Sequence, residues 1–267
     1  MKNLLVPTDF SVPADNALQL AIRLANQWEA TVHLLHSYEI QNQTGNFLSI
    51  QNFMASEARA ELTQTIERIK SSRHYGTTIK ARAMEGPTID NICETAQSVQ
   101  ADLIIMGTQG ANNWKKRFFG SNTSGMIKKS QVPVLAVPNG YQYQAFEKIT
   151  LAVDTHTVSS AQVVQPLITL AQLYNSQVEL VHVSDGQSFS WIDAGLDIYL
   201  SDIPHRFHQI TNTNIHQGLR NFIEINQSDL LCTIHRHRSF LDNLFHVSTT
   251  RKEAFNLSVP LLSLVDE

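Results

Sequence analysis

The sequence contains few cysteines and no long apolar run. Its 267 residues include only two cysteines, too few for a disulfide framework, and Cys93 and Cys232 lie in a helical and a strand pattern. We expect both to be buried thiols in a reducing compartment. No apolar run approaches membrane-spanning length, and residues 1–3 lead directly into a core-like strand, which leaves no room for a signal peptide. These absences predict a soluble, cytoplasmic protein.

Charged side chains are also scarce. They make up 16% of the chain, and the formal net charge is −4 at pH 7. A chain with this balance has no general attraction for nucleic acid or for anionic membranes. We therefore expect neither partner.

Patterns typical of metal sites and of phosphate-transferring enzymes are missing as well. His235 and His237 would share one face of an extended chain, with His246 further on, but no acidic or cysteine residue is suitably spaced to complete a site. The lysine-containing loop G-x4-G-K-[ST] is absent, and no evident base lies beside the glycines described below. We predict no metal ligands and no catalytic residues.

An internal repeat divides the chain. Asp102 and Pro133 are matched by Asp229 and Pro260, each 127 positions later, whereas His36 is matched by His182 at an offset of 146. The change of offset means that the second copy has lost about 19 residues from its central helix or the following strand. The length also suits two domains that each bury a core. We predict domains at residues 1–140 and 141–267.

Strand and helix patterns alternate in each copy, which predicts βαβ units and a parallel sheet in an α/β fold. Ser11 is a candidate N-cap for the first helix, with Pro13 in its first turn. Residues 41–53 are predicted to form a polar loop, and residues 140–144 a linker. The predicted strands of the first copy are 4–7, 31–36, 78–83, 103–106 and 132–137, and its predicted helices are 14–28, 54–70 and 88–99.

A glycine run follows the apolar segment 102–106. Gly107, Gly110, Gly120 and Ser121 form the pattern G-x2-G-x9-G-S, and a helix start is predicted after Gly120. Glycine permits positive φ and lets bare N–H groups approach a ligand, and amides at a helix N-terminus favour an anion. A plain turn would explain the first two glycines alone. The third glycine, followed by a serine, favours a phosphate-binding loop.

Segments 6–11, 34–36, 106–110 and 120–123 together resemble the universal stress protein family, over roughly residues 1–138. The resemblance implies a five-stranded parallel Rossmann-like sheet of order 3-2-1-4-5, and many members of that family bind ATP through this loop. ATP, with or without Mg²⁺, is therefore the expected cofactor. In such a sheet the ligand crevice lies where the strand order reverses.

The resemblance also implies a set of binding residues. Pro7, Thr8 and Asp9 would contact adenine and ribose, whereas the residues of the glycine run would line the nucleotide and hold its phosphates. The full expected cofactor-binding set is Pro7, Thr8, Asp9, Ser37, Met106, Gly107, Gly110, Gly120, Ser121, Asn122 and Thr123.

Some positions depart from the family pattern or have a second interpretation. Ser37 stands where relatives often place an aliphatic residue against adenine, Asn122 replaces a smaller residue, and Gln109 replaces a frequent histidine. Asp9 could equally be a turn or cap residue. Ser121 could be the N-cap of the next helix, a role compatible with phosphate binding.

The basic segment 114–117 inside the glycine run could cover phosphates, but a solvated loop is the favoured interpretation. In the second copy the matched positions of the run carry side chains. Ile234, His237 and Val247 replace Gly107, Gly110 and Gly120, and Ser248 matches Ser121.

We therefore expect the second domain to be degenerate and free of nucleotide. Strands 132–137 and 259–265 would be exposed apolar edges unless they paired, so a pseudo-twofold intrachain dimer is predicted. The preferred function is an adenine-nucleotide-binding stress-response sensor or adaptor. The alternatives are a ligand-free scaffold or dimerisation protein and a slow ATP hydrolase, with a homodimer and the protein partner left open.

Overall fold

The computed structural model describes residues 1–40, 47–71, 76–108, 120–184, 194–236 and 258–266. The first half alternates strands and helices as predicted. Its elements are β1 (Asn3–Pro7), α1 (Val12–Trp28), β2 (Thr31–Tyr38), α2 (Phe47–Lys70), β3 (Thr78–Glu85), α3 (Thr88–Ser98), β4 (Leu103–Gly107), α4 (Ser121–Lys129) and β5 (Val134–Val137).

The second half repeats this order of elements as far as its fourth strand, and residues 237–257, before its last strand, lie outside the described residues. Its elements are β6 (Lys148–Ala152), α5 (Ala161–Tyr174), β7 (Gln177–Ser184), α6 (Ala194–Tyr199), β8 (His205–Thr211), α7 (Ile215–Asn226), β9 (Leu230–His235) and β10 (Leu261–Val265). The shortening predicted for the second copy falls on the helix. α6 has six residues where α2 has 24, whereas β8 and β3 have seven and eight.

The ten strands of the described residues form one sheet in the order β3-β2-β1-β4-β5-β10-β9-β6-β7-β8. Each half has the predicted order 3-2-1-4-5 with parallel neighbours. The halves join through β5 and β10, which are antiparallel with Leu135 opposite Leu262. The predicted intrachain pairing is thereby confirmed, and it covers two apolar edges that would otherwise invite aggregation.

Helix α1 forms for the reasons that the sequence indicated. The Ala14 N–H donates to Ser11 Oγ at 3.4 Å, and a proline lies in the first turn. Its apolar face is buried, and it ends at Trp28, after which the C-cap residue Glu29 closes the last turn with a φ of 52°. The cap brings the N-terminus of α1 beside the carboxyl end of β1.

Helices cover both faces of the sheet. Alternate residues of β1 enter opposite cores, since Leu4 and Val6 belong to the core on the α1 side of the sheet whereas Leu5 belongs to the core on the side of α3 and α4. This double winding leaves the carboxyl ends of the strands as the edge where loops meet. Among the described residues, no helix is long and apolar enough to cross a membrane.

Two predictions need correction. Residues 47–53 are helical rather than part of a polar loop, because the apolar spacing of Phe47, Ile50 and Met54 continues the helix period and no glycine or proline interrupts it. The remainder of the predicted loop lies outside the described residues. The two thiols also differ, because Cys232 is buried whereas Cys93 is only half-buried. Burial raises the pKa of both.

Candidate functional site

The turn between β1 and α1 is held by its own side chains. The Phe10 N–H donates to Thr8 Oγ1 at 3.0 Å, and the Ser11 N–H donates to Asp9 Oδ1 at 3.1 Å. Phe10 has a φ of 60°, an uncommon value for a residue other than glycine. Asp9 therefore acts as a turn residue, as one of its two interpretations proposed, and its side chain remains exposed at the edge.

The end of β2 is fastened to this turn. His36 Nδ1 donates to the Thr8 carbonyl at 2.8 Å, and its ring lies 4.5 Å from the ring of Phe10, centroid to centroid. The next residue, Ser37, has a buried hydroxyl that finds no hydrogen-bond partner among the described residues. Buried hydroxyls are nearly always satisfied, so this oxygen could bond to a polar group of a ligand.

Gly107 ends β4, and the close approach of α1 explains why it is glycine. A Cβ at this position would lie 2.6 Å from the Pro13 carbonyl oxygen. The positive-φ glycines of the described chain are Gly86 and Gly140, so the positive φ considered for the run is absent at Gly107. Met106, expected to line the nucleotide, packs in the core with only 5% of its surface exposed.

Gly120 is the N-cap of α4, with a φ of −62°. Positive φ is therefore wrong for this glycine too, and Ser121 is the first helical residue rather than the N-cap. The Gly120 N–H donates to the Thr108 carbonyl at 2.5 Å, which ties the helix start to the end of β4. Ser121 and Asn122 are exposed in the first turn of α4. The first N–H groups of a helix have no intrahelical partner, so this turn presents amides to an anion.

Thr123 holds the start of α4 against the end of β4 through a hydrogen bond of its side chain. Its side chain is buried, and Oγ1 donates to the Gly107 carbonyl at 2.8 Å. This hydrogen bond positions α4 against β4.

The sheet brings most of the expected residues to one edge. β1 lies between β2 and β4, so the β1–α1 turn, Ser37 and Gly107 share the carboxyl edge at the reversal of strand order, with α4 attached there. Pro7 is buried at the end of β1. Gly110, Gln109, the basic segment 114–117, His237 and His246 lie outside the described residues.

The second half has the same scaffold at its own edge. His182 Nδ1 donates to the Val153 carbonyl at 3.1 Å, as His36 does to Thr8. Here Arg236 enters the crevice, with Nη1 donating to Asp154 Oδ1 at 2.9 Å and Nε donating to Asp266 Oδ2 at 2.8 Å. We name these three residues the arginine lock.

Sequence reasoning missed the arginine lock. Arg236 lies 127 positions after Gln109, and Asp154 is the counterpart of Asp9. The matched positions were therefore visible in the repeat. What the repeat did not show is that both carboxylates turn toward one guanidinium.

A cavity of about 170 Å³ lies beside the arginine lock, at the carboxyl ends of β6, β7 and β9. His205, on its wall, donates through Nε2 to Asp197 Oδ1, 3.0 Å away, and through Nδ1 to the Ile203 carbonyl, 2.8 Å away. Burial lowers the pKa of His205, but these two hydrogen bonds, the charge of Asp197 and a backbone hydrogen bond to Leu200 together outweigh burial and leave the pKa above its ordinary value. Within the described ranges, no three histidine, cysteine or acidic residues group as metal ligands.

The first half also matches known proteins. The model of the universal stress protein family matches residues 1–138. Universal stress protein MJ0531 of Methanocaldococcus jannaschii is 28% identical over 141 residues, covering 51% of this chain and 81% of the relative. Universal stress protein Sll1654 of Synechocystis is 31% identical over 137 residues, covering 51% of this chain and 85% of the relative.

A solved structure matches the whole chain in fold. The crystal structure of a universal stress protein from Archaeoglobus fulgidus covers 99% of this chain and 96% of its own, with a TM-score of 0.74 and 16% identity. That likeness extends the shared architecture to the second half, and the family model spans half of the sequence. The chain belongs to the universal stress protein family.

Proposed function

We propose that the first half binds ATP, with or without Mg²⁺, at its carboxyl edge, and that the protein acts as a stress-response sensor or adaptor. The observation that carries this proposal is the placement of α4. Its N-terminus is fastened to β4 by Thr123 and by the Gly120 N–H, at the reversal of strand order. Fixed amides at such a point favour an anion such as a phosphate.

The residues at this edge fit a nucleotide. Ser121 and Asn122 would take the phosphates with their N–H groups and polar side chains. Asp9, exposed in the turn after β1, would take the ribose, and the unsatisfied hydroxyl of Ser37 would bond to the adenine edge. The bound nucleotide supplies charge and recognition, and nothing in the proposal requires its hydrolysis.

The proposal includes one nucleotide per chain. In the second half the crevice already holds the Arg236 guanidinium, which is neutralised by Asp154 and Asp266. Ile234 also replaces Gly107 there, and its side chain packs in the core. Among the residues that the structure describes at that edge, a phosphate would find neither a free cation nor an open backbone.

Calorimetric titration of the full chain with ATP and Mg²⁺ tests the proposal. We expect one site, and at about a hundredfold excess over the dissociation constant the ligand should add roughly 2.7 kcal/mol to the stability. No heat and no thermal shift at millimolar ATP would favour a ligand-free scaffold. A stoichiometry of two would contradict the assignment to the first half alone, and steady phosphate release would favour slow hydrolysis.

A further inference from the structure

The cavity of the second half is enclosed mainly by apolar side chains. It lies between the carboxyl ends of β6, β7 and β9 and the helices α6 and α7. Its apolar wall includes Val183, Leu196, Phe207, Ile215, Leu219 and Ile234. These side chains come from five different elements, so the cavity is produced by the way those elements pack together.

The volume limits the size of an occupant. The cavity measures about 170 Å³, and an apolar cavity of about 150 Å³ is large enough to take up benzene. A single six-membered ring with a short substituent therefore fits. The matched position in the first half is not equivalent, because Ser37 stands where Val183 contributes a branched apolar wall.

The charges at this cavity disfavour an anion. Asp154, Asp197 and Arg236 line it, and the arginine is already paired with Asp154 and with the almost fully buried Asp266. Three carboxylates thus accompany one guanidinium among the described residues. His205 hydrogen-bonds to Asp197, and His156 lies 3.2 Å from Asp154, Nδ1 to Oδ2.

We propose that this cavity is a binding site for a small organic cation, an amine carried on a single aromatic ring. The ring would lie against Val183, Leu219 and Ile234, and its apolar surface would thereby be removed from water. The ammonium group would lie at the rim, attracted by Asp154 and by Asp197, which is 66% exposed. This ligand class differs from the nucleotide proposed for the first half, and neither proposal depends on the other.

Benzylamine, benzyl alcohol and benzoate test the proposal, because they share one ring and differ in charge. Each is titrated into the full chain while the methyl resonances of valine, leucine and isoleucine are followed by NMR. We expect benzylamine to shift Val183, Leu219 and Ile234 with a dissociation constant on the order of 1 mM. Benzyl alcohol should bind roughly three- to fivefold more weakly, since an exposed charge pair contributes little. Benzoate should bind least.

Variants at the rim locate the site without disturbing the core. Ile215 lines the cavity at the start of α7 and is 39% exposed, so Ile215→Trp should fold and abolish the benzylamine shifts. Ile225→Trp, on the same helix and 80% exposed, is the matched control and should leave them unchanged. Asp197→Asn should lower the preference for benzylamine over benzyl alcohol roughly twofold, whereas Asp202→Asn should not.

The outcomes separate the parts of the proposal. Absence of methyl shifts for all three compounds at about ten times the expected dissociation constant would overturn the site itself. Equal binding of benzylamine and benzoate would overturn the assignment to a cation. Shifts that persist in Ile215→Trp would place the compounds elsewhere.

Discussion

The carboxyl edges of the two halves share a scaffold and differ in chemistry. Both use a histidine on the second strand to hold the turn after the first strand, through Thr8 in one half and Val153 in the other. In the first half the edge presents the N-terminus of α4. In the second half, the same region holds a guanidinium between two carboxylates. A repeat can therefore keep its fold while a substitution at one matched position changes the charge of this edge. That position holds Gln109 in the first half and Arg236 in the second.

The largest effect is expected from making the first edge resemble the second. Val247 occupies the position that matches Gly120, so Gly120→Val should lower ATP affinity more than about 100-fold, because a branched side chain would stand before the first-turn amides. The φ of −62° suits any residue, so the fold should lose only about 1 kcal/mol at the N-cap. Calorimetry and circular dichroism measure the two quantities.

Gly120→Ser is the matched control for this change. Serine is a good N-cap and adds only a small polar group. The helix should therefore keep its stability, and the protein should keep much of its affinity for ATP. Ser121→Ala should weaken binding by roughly 1.5–3 kcal/mol, the contribution of one hydrogen bond to a charged group. Unchanged affinity in a folded Gly120→Val protein would place the nucleotide away from α4.

The second edge should depend strongly on its arginine. Arg236→Ala leaves Asp266, whose side chain is 3% exposed, and Asp154 without their common partner, and should destabilise the protein by about 3 kcal/mol. Arg68→Ala is the control, because its pair with Asp15 is 54% and 32% exposed and should contribute less than about 1 kcal/mol. Urea denaturation measures both, and similar losses would contradict the buried character of the lock.

Most of the fold could be predicted because its signals are local or repeated. The cap of α1, the strand order within each half and the pairing of the last strands followed from periodicity, the repeat and the family resemblance. The start of α2 at Phe47 was missed because polar residues between apolar ones were taken for a loop. Helix boundaries depend on a few residues, so they are less well determined than the helix itself.

The structural role of each residue at the site was harder to predict. Gly107 was expected to have positive φ or to approach a ligand, yet the backbone of Pro13, 94 positions earlier in the sequence, occupies the space of its Cβ. The arginine lock joins residues that are 82 and 30 positions apart. Such contacts arise from tertiary packing, and a single sequence contains no local signal for them.

The packing requirement at Gly107 gives a smaller expected effect. Gly107→Ala would place Cβ 2.6 Å from the Pro13 carbonyl oxygen, and we expect overpacking to destabilise the protein by roughly 1–3 kcal/mol. Gly76→Ala is the matched control, because its Cβ would lie 3.2 Å from the side-chain oxygen of Asn26, a longer distance and a side-chain rather than a backbone atom. Thermal unfolding compares the stability of the two variants. An equal loss of stability would show that the approach of α1 is not the reason why this position requires glycine.

The smallest effect concerns histidine, which is concentrated in the second half with eight of the 11 in the chain. His205 has a raised pKa in the folded state, so the folded protein binds its proton more tightly than the unfolded chain. The contribution of His205 to the stability of the fold is therefore complete below the ordinary pKa of 6.5, and it is lost as the pH rises through the pKa of the folded state. Because Asp197 is 66% exposed, the contribution should stay below about 1 kcal/mol.

His205→Asn removes this dependence and keeps a polar side chain beside Asp197. The stability difference between wild type and variant should be larger at about pH 5.5 than at about pH 8, since only the protonated imidazole pairs with the carboxylate. His156→Asn provides the comparison, because His156 is 69% exposed beside Asp154 and solvent screens its pair more strongly. Urea denaturation at the two pH values measures the differences. A larger difference at the higher pH would reverse the sign and would mean that the burial of His205 outweighs its hydrogen bonds.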